Sequence, residues 1–141
     1  MTQLHISAAL LGPEYACSGP VTISIEDGHI AAITPTGPPD GPARLAMPSL
    51  ADAHNHARPL STTSFGCGGK PLEQWLPQLA MTPPVDAYTA AVASFARSVR
   101  GGATGVMVHL TRAMGQKPLP EEAREIARAA ADVGVSIGFA I

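Results

Sequence analysis

Hydrophobic and polar positions along this chain change period several times, and each change marks an element. Leu4 to Leu11 reads as a first strand that Gly12-Pro13 stops. Val21-Thr22-Ile23-Ser24-Ile25 alternates apolar and polar with β-branched residues, Asp27-Gly28 supplies a tight turn, and His29 to Ile33 returns, so a hairpin is expected. Thr34 to Ala43 carries four prolines and two glycines in ten residues. A segment so poor in backbone donors is a linker, not a strand or helix.

Beyond the linker the period lengthens. Leu50 to His54 reads as a short strand. Pro71 to Leu79 can form a helix with Leu72, Trp75, Leu76 and Leu79 on one face, Trp75 serving as a core anchor or as a lid. Tyr88, Val92, Phe95 and Val99 recur at helical spacing after a capping Asp86 and before Gly101-Gly102, with Arg97 and Arg100 solvated. Thr104 to Leu110 is the apolar run of a parallel strand covered on both faces. Pro120 to Val133 is a second amphipathic helix, with Ala123, Ile126, Ala127, Ala130 and Val133 inward and Glu121, Glu122, Arg124, Glu125 and Arg128 outward; Val135 to Ile141 is a further strand. The order strand, helix, strand, helix, strand predicts βαβ units on a parallel sheet.

Composition narrows the class. The 141 residues are 45% hydrophobic and 14% charged, the balance of a packed α/β enzyme and not of a disordered chain. A net charge of −2 with no basic cluster provides no footprint for nucleic acid. Leu4 to Leu11 is too short and too interrupted for a signal peptide or membrane span, so a cytoplasmic protein without membrane partner is expected. Cys17 and Cys67 lack Cys-x-x-Cys spacing and read as reduced thiols. Gly66-Cys67-Gly68-Gly69-Lys70 is not a phosphate-binding loop, since the motif that ends in Gly-Lys-Ser/Thr is absent.

The chemistry gathers at Pro48-Ser49-Leu50-Ala51-Asp52-Ala53-His54-Asn55-His56. On a strand Asp52, His54 and His56 would project from one side, and two imidazoles would converge where the strand ends. Neutral imidazole is a common metal ligand, and a metal with an open position activates water. The plain alternative is a chance pair of structural histidines. Asp52 is either a group behind the ligands, bonding backbone or orienting a histidine, or a simple turn carboxylate. His109, at the end of the next strand, is either a half-buried histidine with a backbone partner or a group in the second shell or at the substrate, with Arg112 a weaker candidate.

Met47 to His56, with Asp52 two residues before His54, resembles the first metal-binding strand of the amidohydrolase superfamily, and within it the cytosine deaminase-like branch. Phe65-Gly66-Cys67-Gly68-Gly69, Leu72-Glu73-Gln74-Trp75 and Gly101 to His109 accompany it, and Ser49 stands where that family commonly has Gly. The resemblance implies an α/β fold: small N-terminal β-sandwich strands and linker over residues 1–47, then over 48–141 the first (βα)2β part of an incomplete TIM-type barrel. It implies a divalent metal ion, zinc or iron, held by His54 and His56. The implied reaction is hydrolysis of a non-peptide C–N bond in a small cyclic amidine or amide by metal-activated water.

Such enzymes add a further histidine, an aspartate and a proton-shuttling glutamate from later strands. The expectation is therefore an N-terminal fragment, inactive by itself, with no catalytic acid or base of its own and a small-molecule substrate in the complete protein. An exposed edge at Val135 to Ile141 is expected to pair with another segment or copy. The competing reading is a non-catalytic remnant or a small binding module.

Overall fold

The computed structural model describes residues 1–58, 66, 68–111 and 117–141. Two compact units make up the chain, Met1–Pro48 and Ser49–Ile141. Phe65, Cys67 and Arg112 lie outside the described residues.

The first unit holds two three-stranded sheets. The expected single strand Leu4 to Leu11 is in fact two, β1 (Thr2–Ile6) and β2 (Ala8–Leu11), in different sheets. The break is Ser7. Its N–H and that of Ala8 both donate to the Arg44 carbonyl, while its hydroxyl accepts from the Arg44 N–H, so the linker catches the chain between the two sheets. β3 (Ala16–Ser18) pairs antiparallel with β2, and β6 (Leu45–Ala46), from the end of the linker, pairs parallel with it. The hairpin forms as β4 (Val21–Glu26) and β5 (His29–Pro35), and its turn residues Asp27 and Gly28 take φ of 49° and 78°, the positive pair that a two-residue hairpin needs. β1 pairs with β4. Ile6, Ala9, Val21 and Ile23 form a small core that both sheets share.

In the second unit β7 (Leu50–Asn55), β8 (Ala103–His109) and β9 (Ser136–Ala140) lie parallel in that order. Between them run α1 (Leu72–Ala80), α2 (Ala87–Arg100) and α3 (Leu119–Val133). α2 begins where Asp86 accepts the Thr89 N–H at 2.9 Å. α3 ends at Gly134 with φ 84°, the left-handed stop that glycine adopts without strain. Phe95, Val106, Val108, Leu110, Ile126 and Ala130 fill the core between sheet and helices. Tyr88 ties the helices together: its hydroxyl donates to Asp132, and the Arg128 guanidinium lies 4.1 Å from its ring centre.

Four expectations are corrected. Among the described residues of this unit β8 is covered on one face only: Val106 and Val108 are buried against the helices, whereas Met107 is 40% exposed. Glu122 does not point outward; it is 3% exposed and continues the buried stripe of Ile126, Ala129 and Ala130, since it precedes Ile126 by one helical turn. Ala127, expected inward, is exposed because the stripe is centred one residue away. α1 carries Pro77 inside it and buries none of its residues, so Trp75 is half-buried and anchors no core. No helix among the described residues is long and apolar enough to cross a membrane.

Candidate metal centre

β7 carries the histidine pair to the C-terminal end of the parallel sheet. His54 and His56 turn their rings toward each other, with the two Nε2 atoms 3.3 Å apart and the ring planes at 87°. Two nitrogens held at about 2.0–2.1 Å by one tetrahedral zinc would stand about 3.3–3.4 Å apart. The separation in the chain fits that chord, so the donor set suits a borderline metal with nitrogen ligands.

The third histidine touches both. The His109 carbonyl, at the end of β8, accepts from His56 Nδ1 at 2.7 Å, and the His109 ring stacks on His54 with centroids 4.1 Å apart. A proton fixed on Nδ1 leaves the Nε2 lone pair of His56 free to bind a cation. The 3.3 Å contact then runs from the Nε2–H of His54 to the Nε2 of His56, and a metal taking that place requires His54 to carry its proton on Nδ1 instead.

Asp52 departs from its expected place beside the histidines. The Oδ2 atom accepts from the Asn55 side-chain amide at 2.8 Å and from the Ser98 hydroxyl at 3.2 Å, which puts the carboxylate on the face covered by α2. His54 stacks with His109 on the opposite, open face. The cause lies in the register: β7 and β8 slip against each other between Leu50 and Ala51 and again between Asp52 and Asn55, and a slip reverses the side to which later residues point. Oδ1 of Asp52 accepts the backbone N–H of His54 at 3.3 Å, so the carboxylate serves the main chain of a histidine, not its ring. The Asn55 amide, the His54 N–H and the Ser98 hydroxyl hold its pKa below the ordinary value although burial opposes them.

A cleft opens beside the pair, bounded by His56, Arg58, His109, Leu110 and Glu122, where the strand ends meet the N-terminal turns of α2 and α3. That is the place where parallel α/β sheets bind ligands. Among the described residues no group of three or more His, Cys, Asp or Glu side chains could hold a metal, so the pair offers two nitrogens. Asn55, Ser94 and Ser98 escaped notice in the sequence. The signal was there: two serines one turn apart interrupt the small apolar stripe of α2, and a polar residue lies between the histidines.

Solved structures carry the same fold. Atrazine chlorohydrolase from Arthrobacter aurescens in complex with zinc and atraton superposes with a TM-score of 0.72 at 16% identity, over 100% of this chain and 35% of that one. A triazine hydrolase from the same source gives 0.68 at 15% identity, over 97% and 34%. N-isopropylammelide isopropylaminohydrolase from Burkholderia multivorans gives 0.58 at 18%, over 99% and 37%. The chain thus spans about a third of the length of the structures it matches, and at these identities the likeness is one of fold. No protein-family model and no curated protein matches the sequence.

Proposed function

We propose that this chain is the metal-binding N-terminal part of an amidohydrolase-type enzyme, with His54 and His56 as two ligands of a divalent metal, zinc before iron. The observation that carries the reading is the 3.3 Å approach of their Nε2 atoms at the C-terminal end of a parallel strand. The fold shared with atrazine chlorohydrolase complexed with zinc supports it. When bound, the metal supplies Lewis acidity to activate water and polarise the reacting carbon.

The residues of this chain prepare that site. The His109 carbonyl fixes the tautomer of His56, and the His109 ring restricts His54 from one side. The substrate is proposed to be a small cyclic nitrogen compound such as a triazine or pyrimidine carrying a hydrolysable C–N bond. For the cytosine deaminase-like branch the support is the His-x-His segment with Asp52; the matched structures are named as an atrazine chlorohydrolase, a triazine hydrolase and an N-isopropylammelide isopropylaminohydrolase. Two nitrogens are fewer than the three protein ligands usual for catalytic zinc, so donors outside the described residues complete the site and a (β/α)8 barrel encloses it. The 141-residue chain alone then holds metal weakly and turns over little.

One observation favours a non-catalytic protein with structural histidines: His56 has both ring nitrogens engaged within the chain. Competition for zinc against a chromophoric chelator separates the two. Metal binding by the wild-type chain that falls about tenfold or more in His54→Ala and His56→Ala, with circular dichroism unchanged, supports the proposal. Equal affinity in all three contradicts it.

A further inference from the structure

Residues i and i+2 of a regular strand stand about 6.6–7 Å apart on one face, so the path of the backbone between them sets how closely their rings meet. Here the strand bends. Asp52 stands opposite Val106 and Asn55 opposite Val108, so three steps along β7 match two along β8. Side chains take over the backbone donors of this bulge. Asp52 accepts the His54 N–H, and Asn55 Oδ1 accepts the Ala57 N–H at 2.7 Å. Ala57, buried directly after the second histidine, has a φ of 52°, a left-handed conformation that a residue with a Cβ keeps only when its surroundings hold it.

The hold comes from α2. Ser94, 7% exposed, donates its hydroxyl to Asn55 Oδ1 at 3.0 Å, and Ser98, one turn later, donates to Asp52 Oδ2. The Asn55 amide closes the circuit by donating to that same carboxylate oxygen. The residues before and after His54 are therefore tied to one helix, and through Asn55 the Ala57 N–H beyond His56 is held as well.

We infer that Asp52, Asn55, Ser94 and Ser98 form a clamp through which α2 fixes the bulge and so sets the distance between the His54 and His56 rings. They are positioning residues that act through the histidines. Their effect on metal affinity rests on the reading of the pair as ligands; their effect on ring geometry does not. A network that only glued helix to strand would alter stability and leave the ring contact alone.

The test uses the full chain, isotopically labelled and metal-free, and reads the cross-relaxation between the ring protons of His54 and His56, followed by zinc competition. Asn55→Ala is expected to abolish the ring contact and weaken zinc binding about 10–100-fold. Ser94→Ala is expected to weaken both less, about tenfold in affinity; alanine is the better helix former, so this variant keeps the question answerable if Asn55→Ala does not fold. Ring contact and zinc affinity that stay within twofold of wild type in a folded variant overturn the clamp, whatever happens to stability. A wild-type ring contact that the variants lose, in a chain that takes up no zinc, supports the clamp and removes the metal reading.

Discussion

The two faces of the sheet β7–β8–β9 are made of the same strands and have opposite characters. Toward α2 and α3 lie Val106, Val108 and Leu110, packed on Phe95, Ile126 and Ala130 with almost no exposed surface. Toward the other side lie Met107 and the stacked rings of His54 and His109, with no described element of the second unit over them. The alternation of a strand therefore separates stability from chemistry. One face holds the fold together, and the other presents nitrogen donors where the strands end.

That division sets an order of effects. Phe95→Ala on the covered face removes a fully buried ring between α2 and the sheet and should destabilise the chain by about 3–5 kcal/mol in denaturant unfolding. A loss below about 1 kcal/mol would mean that the covered face is not the core. Glu122→Ala comes next. An exposed glutamate would tolerate the change within about 0.5 kcal/mol, but a buried and partnered one should cost about 1–3 kcal/mol.

Asp86 tests the start of α2 by pH. The Thr89 backbone N–H, and then its hydroxyl, keep the Asp86 carboxyl below its ordinary pKa. A depressed pKa contributes stability that is fully present above the unfolded value, about 3.9, and is lost as pH falls through the folded one. The difference in melting midpoint between wild type and Asp86→Ala should therefore be constant from about pH 5 to 7 and shrink below about pH 4. A gap that widens on acidification would contradict the cap. The smallest effects belong to the open face. Gly138→Ala would bring a Cβ to 3.2 Å from the Met107 terminal methyl, the loose end of a flexible side chain, and should shift unfolding by less than about 0.5 kcal/mol. A larger loss would show that the open face is packed after all.

Much of this was legible in the residues, because period and punctuation decide local structure. The alternation of Val21 to Ile25 with Asp27-Gly28 led to the hairpin, and the spacing of Tyr88, Val92 and Phe95 with Asp86 led to α2. What stayed hidden depends on partners distant in sequence. Ser7 looks like one more polar residue in a strand until Arg44 returns to break it. Glu122 reads as surface charge until the stripe that begins at Ile126 is extended back by one turn. The side on which Asp52 points was misread for the same reason: strict alternation puts it beside the histidines, and only pairing with β8 reveals the slips that send it to Ser98.

The approach of the two imidazoles can be tested at the atomic level. Crystals of the chain grown with zinc should show, at the zinc absorption edge, an anomalous peak about 2.0–2.1 Å from Nε2 of His54 and of His56 at once. A map with no peak there, or with zinc held by other side chains while the two rings keep only each other, would contradict the assignment of the pair as metal ligands.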